Sequence, residues 1–354
     1  MILHTSDRNR KVCEKKFYMA AANVAACLGV IILHTNFVFW TKPGGRLWIT
    51  SCFLETFFYW PVPIFFMLSG ANLLDYPERY STEEFLKRRV SKTLIPFLFW
   101  SLAAELYLSA LYDRSIDWSL PRVMNDILNA RTFSVYWFFL PLFASYLSMP
   151  VLARVESKIR SYLYAIVCGM FFVCILPLAC RLLDIQMNSE VIPPIAGGYL
   201  IYIMLGYVLD RVELPRRTRY AFYLLGVAGW LMQFVGTLLA SEGEIGVNVT
   251  FKGYTNLPAF LQAIGVFVFL KSVNYEKLFG NRMERVRKSV MSLSSLTYGI
   301  YLIHYFFVVG LPRLLDIQTT KLSWRLGGAV GIFLLSAGIV WLMKKIPLVR
   351  RLVP

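Results

Sequence analysis

The feature that most constrains this chain is a series of uninterrupted apolar stretches, each near the ~20 residues that a helix needs to cross ~30 Å of hydrocarbon. Ten are counted, at roughly 17–40, 52–74, 93–111, 134–152, 162–180, 194–209, 219–240, 256–273, 290–311 and 325–343. No water satisfies the backbone inside a bilayer, so such stretches fold as helices or as a closed barrel. Barrel strands alternate apolar and polar residues over about ten positions, and these blocks do not. The expectation is an all-α polytopic membrane protein of about ten transmembrane helices. The sixth stretch opens with Pro193-Pro194 and Gly197-Gly198, and the eighth contains Pro258, so their ends are the least sharply bounded. Composition agrees, because 16% charged residues against 57% hydrophobic ones are too few to coat a water-soluble surface.

A net charge of +16 raises the question of nucleic acid, and the placement of the charge answers it. Assigning the gaps to alternate sides puts 27 of the 37 Lys and Arg on the side of the N-terminus and 10 on the other. Positive charge stays inside, so both termini are expected in the cytoplasm, with residues 1–16 as a basic tail. The clusters are then read as topology signals and contacts with anionic membrane lipids, not as a nucleic-acid interface. The first stretch follows Arg8, Arg10, Lys11, Lys15 and Lys16. At 24 residues it exceeds the ~7–15 of a signal-peptide core and reads as an uncleaved helix.

Cys13, Cys27, Cys52, Cys168, Cys174 and Cys180 show no Cys-x-x-Cys or Cys/His ligand spacing, so neither structural disulfides nor a metal site are expected. No internal repeat or long linker divides the chain. Residues 1–354 read as a single transmembrane domain, and nothing fixes the oligomeric state, a homo-oligomer included.

Function then rests on polar groups inside the spans, since ionisable residues at bilayer depth are costly and face a partner or a cavity. His34, Glu55, Glu105 and His304 are such groups. The alternating topology sets all four at similar depth in the outer half of the membrane. The plain alternative is a hydrogen-bond network that only fixes helix packing, and Glu55, near a span end, reads best as a wet interfacial residue. A histidine beside a carboxylate is a usual way to build an acid or base near neutral pH. His34 is the better candidate base, with Glu105 as a carboxylate partner. Asn23, three turns earlier, shares its helix face.

The chain resembles the membrane-bound acyltransferase 3 family of multi-pass O-acyltransferases. NVAACLGVIILHTN, carrying His34, is similar to the family's opening helix with its essential histidine. VPIFFMLSG (62–70) resembles its Pro-Phe-Phe-Ser-Gly signature, and FLKRRVSKTLIPFLFW (85–100) its basic motif, with Arg89 and Lys92 on the Arg-x-x-Arg positions. YWFFLPLFASYLSMP (136–150) and LTYGIYLIH (296–304) are similar to the Trp-Phe-Leu and late Tyr-x-x-His helices. Two departures stand out. The family often carries Arg eleven residues before the histidine and Asp three before that, where this chain has Asn23 and Ala20. Lys92 keeps the charge of the second Arg but not its planar fork.

The resemblance implies transfer of an acyl group, usually acetyl, from cytoplasmic acyl-CoA to a hydroxyl of a cell-surface or lipid-linked glycan at the plasma membrane, with no metal. Arg89 and Lys92 would meet the CoA phosphates, with Ser69 and Gly70 nearby, Gly allowing close backbone approach. His34 would act as base or carry the acyl group itself. The plain readings are anchoring for the basic pair, helix packing for Ser69-Gly70 and a structural role for His304. A glycan acceptor would be met by the short outer loops. The longest is 112–133, which with its borders offers Tyr107, Tyr112, Trp118, Phe133, Tyr136 and Trp137 to stack on sugars or to form an interfacial belt. The rival class is a proton-coupled transporter or polysaccharide exporter using the same His/Glu layer.

Overall fold

The computed structural model describes residues 2–187 and 197–354, with side chains from residue 16 onward. In chain order the helices are α1 (Ile2–Thr35), α2 (Gly45–Phe57), α3 (Pro61–Leu73), α4 (Thr82–Arg89), α5 (Ile95–Tyr112), α6 (Leu120–Leu128) and α7 (Phe139–Leu152). They continue as α8 (Lys158–Gly169), α9 (Leu176–Leu182), α10 (Leu200–Arg211), α11 (Arg216–Ala240), α12 (Leu257–Ser272), α13 (Tyr275–Phe279), α14 (Met283–Ser294), α15 (Thr297–Leu315) and α16 (Ala329–Lys345). Among the described residues there is no strand.

Eight helices among the described residues are long and apolar enough to cross a membrane, and a bent pair, Leu257–Ser272 with Tyr275–Ser294 at 67°, makes nine if it counts as one span. The difference from ten lies in the sixth stretch. There α10 begins only at Leu200 and is too short to qualify; Pro193 and Pro194 lie outside the described residues. Other boundaries shift for local reasons. The expected tail is already helical from Ile2. Pro258 stands in the first turn of α12, where its missing N–H costs nothing, so it starts that helix instead of weakening it. The ninth stretch divides at Ser295–Leu296, so residues 290–294 belong to α14.

By Cα packing the chain forms two compact units, Met1–Leu33, Phe37–Asn72 and Glu156–Ser295 in one, and His34–Asn36, Leu73–Val155 and Leu296–Pro354 in the other. In the first, α3 and α10 cross at backbone contact. A Cβ on Gly70 would overlap the Ile203 carbonyl, and one on Gly206 would overlap the Met67 carbonyl. The same unit is tied by polar bonds placed where water is absent. Gln233 donates to Gln262 (2.9 Å), and Gln262 to the Thr56 carbonyl (3.0 Å), joining α11, α12 and α2. Lys271 caps α10 through the carbonyls of Leu209, Asp210 and Val212, satisfying acceptors that a helix end leaves open.

In the second unit α5 and α15 run parallel and in register. Tyr298 bonds the Thr93 carbonyl (2.8 Å), Tyr107 the Phe306 carbonyl (2.9 Å), and Arg313 the Leu111 carbonyl (2.9 Å). A π-helical turn, Val90–Leu94, joins α4 to α5 just before Pro96. Tyr136 and Tyr301 reciprocally bond the carbonyls of Leu302 (2.7 Å) and Val135 (2.8 Å), locking the short helix Ser134–Phe138 onto α15.

Candidate active site

The last turn of α1 carries His34 into the second unit. Its ring stacks on that of His304, with centroids 5.4 Å apart and planes inclined by 26°, and meets the edge of Tyr305 at 5.6 Å. His34 is half-buried and His304 fully buried. His304 Nδ1 lies 2.7 Å from the Tyr301 carbonyl and 3.2 Å from the Ile300 carbonyl. Carbonyl oxygens only accept, so Nδ1 carries the proton and Nε2 of the neutral ring keeps its lone pair. That Nε2 is buried with no hydrogen-bond partner among the described residues. Backbone carbonyls thus fix tautomer and orientation, the task a carboxylate usually performs.

The carboxylate expected beside His34 is engaged elsewhere. Glu105 pairs with Arg114 at 3.1 Å, where the chain doubles back through Asp113 in the left-handed conformation. The register of α5 against α15 sets Glu105 within about one turn, ~5 Å, of His304 in depth. His304 is the eighth of the 19 residues of α15, near the middle of its helix. The apolar stretch 290–311 would leave His304 seven residues from its end; the helix instead continues to Leu315.

One residue bound to the two positions after His34 escaped the sequence reading. Arg325, 3% exposed, donates to Asn36 Oδ1 (3.3 Å), and its carbonyl accepts from the Thr35 hydroxyl (2.9 Å). Arg325 stands at the edge of an apolar stretch and looks like a boundary charge. Only its burial marks it as part of the site.

Arg89 lies at the start of the α4–α5 span, half-buried, its guanidinium 5.5 Å from the Phe85 ring and 5.4 Å from the Tyr146 ring. Its Nε is buried without a hydrogen-bond partner among the described residues. Lys92 is exposed on the π turn. Along the continuous helix Arg89 and Glu105 are separated by about 24 Å, so the unit has a cationic end and a mixed-charge end with the histidines between them.

The remaining candidates lie in the first unit. Asn23 donates to the Ser294 hydroxyl (3.2 Å) and so ties α1 to α14. Ser69 bonds back to the Phe65 carbonyl (2.9 Å). The space left by the missing Cβ of Gly70 is filled by the backbone of α10. Glu55 is not a wet interfacial residue. Because α2 begins at Gly45, Glu55 sits in its last turns, 3% exposed, paired at 3.0 Å with Lys252. The Lys252 ammonium also lies 4.0 Å from the Tyr59 ring and 4.4 Å from the Trp40 ring. Burial outweighs the pull of Glu55 and lowers this ammonium from its ordinary pKa. Lys252 was missed because a single lysine in a loop between apolar stretches carries no signal. Among the described residues, no group of His, Cys, Asp and Glu could hold a metal ion.

A half-buried imidazole in the last turn of α1 stacks on a buried imidazole near the middle of α15, two groups able to accept or pass a proton. The family model of the acyltransferase domain matches residues 21–343, nearly the whole chain. The chain belongs to the acyltransferase 3 family and is a membrane acyltransferase. No curated protein and no solved structure matches it significantly.

Proposed function

We propose that the protein is an O-acyltransferase of the plasma membrane that moves an acyl group, acetyl first among them, from cytoplasmic acyl-CoA to a hydroxyl of a cell-surface or lipid-linked glycan. The observation that carries this reading is the stacked His34–His304 pair, with one imidazole fixed by carbonyls and the other half-open. Both termini are cytoplasmic in this reading, which puts Arg89 and Lys92 at the inner end, where charge-assisted hydrogen bonds hold the CoA phosphates. The thioester then reaches outward along α5 and α15 to the histidines.

His34 takes the proton of the acceptor hydroxyl as its oxygen bonds to the thioester carbon. The carbon–sulfur bond breaks, and the thiolate leaves with that proton. His304 positions the His34 ring, and the buried Arg325 guanidinium supplies positive potential as negative charge grows on the carbonyl oxygen.

The test is acetyl-CoA-dependent thiol release by the purified protein in nanodiscs, beside His34→Ala. Loss of a general base lowers the rate by about 10²–10⁴-fold. An acyl group trapped on the protein by acid quench, found by mass spectrometry on His34, would replace direct transfer with an acyl-histidine route. Folded protein that neither binds nor turns over acyl-CoA, yet carries protons across vesicles, would overturn the acyltransferase reading in favour of a transporter.

A further inference from the structure

Beyond Lys345 the chain leaves α16 and turns back over the second unit. Ile346 is extended, and Pro347 after it neither donates to the helix nor favours a helical predecessor, so α16 stops there. Arg350 N–H reaches the Ile346 carbonyl (2.9 Å), Val349–Arg351 forms a short 3₁₀ helix, and Leu352 N–H bonds the Val349 carbonyl (2.9 Å). This turn delivers Val353, fully buried, to α15. A Cβ on Gly299 would come within 2.7 Å of Val340 and 3.1 Å of Val353, so only glycine there lets α16 and the returning segment both close on α15. The Leu352 carbonyl accepts from Trp100 Nε1 at 2.9 Å, which carries the same segment on to α5. Residues 346–353 thus join three helices.

Trp100, Gly299 and Val353 take no part in the acyl transfer itself, yet their contacts bracket His304. Gly299 precedes it by five residues, about 7.5 Å along α15, and Phe306, whose ring meets that of Trp100 edge to face at 5.6 Å, follows it by two, about 3 Å. Among the described residues His304 bonds only to carbonyls of α15 itself. Its ring therefore goes where that helix goes, and its stack on His34 depends on how α15 is turned and shifted. We propose that residues 346–353 are a strap that fixes α15 for the reaction, and that Trp100 is a positioning residue for His304. The proposal rests on the acyltransferase reading, in which His304 positions the His34 ring. Without the indole N–H the Leu352 carbonyl loses its donor in an apolar setting, the strap loosens, and α15 shifts against His34.

The test compares wild type, Trp100→Phe and Val353→Ala as full chains in nanodiscs. Trp100→Phe keeps a ring against Phe306 and removes the N–H; Val353→Ala reaches the strap from its other anchor and serves should Trp100→Phe misfold. Amide hydrogen exchange, read by mass spectrometry, is expected to quicken over residues 346–354 in both variants. In acetyl-CoA-dependent thiol release kcat is expected to fall about tenfold with the KM for acetyl-CoA kept, since small displacements of a reacting group are costly and the bonds from α5 to α15 remain. The pH at which kcat/KM is half-maximal is expected to move, because the imidazole beside the His34 base has moved. Tyr301 and Tyr305, the titratable rings packed against the histidines, are the same in every variant. A strap that only adds stability would lower the amount of active protein and leave the pH profile in place. Unchanged exchange, or faster exchange with the wild-type pH profile, overturns the proposal. Thiol release that needs His34 but is unaltered in both variants sinks the strap alone. A wild type that releases no thiol, or releases it without needing His34, sinks the acyltransferase reading and the proposal with it.

Discussion

Replacing Lys252 by Met would leave the Glu55 carboxylate, its side chain 4% exposed, without a cation. At 3.0 Å and an effective dielectric near 20 the attraction is about 5 kcal/mol. Desolvation of both ions offsets most of that, so the pair is worth about as much as an apolar isostere, whereas removing one partner costs about 3–5 kcal/mol. Loss of the cation's contacts with the Tyr59 and Trp40 rings adds about 1 kcal/mol. The expected loss is about 4 kcal/mol for Lys252→Met, of which the double variant Glu55→Gln/Lys252→Met recovers at least half. Denaturant unfolding in bicelles at neutral pH, followed by tryptophan fluorescence, measures these two variants and Glu55→Gln alone. A single variant within about 1 kcal/mol of wild type, or a double variant whose loss equals the sum of the two singles, would refute the reasoning.

Other outcomes follow from the same geometry. The Lys252 pKa is lowered from 10.5, so just below that pH the unfolded chain binds more protons than the folded protein; stability is therefore expected to rise with pH there, and not in Lys252→Met. Gly206→Val drives a side chain into the Met67 carbonyl and is expected to cost about 3 kcal/mol in the same unfolding assay. Arg89→Ala is expected to raise the KM for acetyl-CoA about tenfold with little change in kcat, and Arg89→Lys to recover part of it, as steady-state thiol release would report.

The hydropathy blocks located helices because apolar length is a local property, and they failed where the local rule had an exception. Pro258 is disruptive inside a helix and neutral in a first turn. Residues 290–311 are apolar enough to read as one stretch, yet the chain breaks at Ser295 and Leu296. The histidines were legible as intramembrane ionisable groups, and their stacking was not, because His34 and His304 meet only once α1 and α15 are folded. Glu55 was misread for a related reason. Its exposure was judged from a helix end that lies at Gly45, ten residues earlier, and without the Lys252 of a distant loop, which folds back to cover it.

The sequence by itself determined that this chain is a helical membrane protein of the acyltransferase 3 family, since the apolar lengths and motif residues that say so are read along one strand of chain. Only the tertiary structure decided the partners: Glu105 with Arg114, Glu55 with Lys252, His34 with His304, and the backbone of α10 against Gly70. In an apolar medium every charge and every buried donor must be met by some other group. Which group meets it is set by how helices distant in sequence approach, and no periodicity records that.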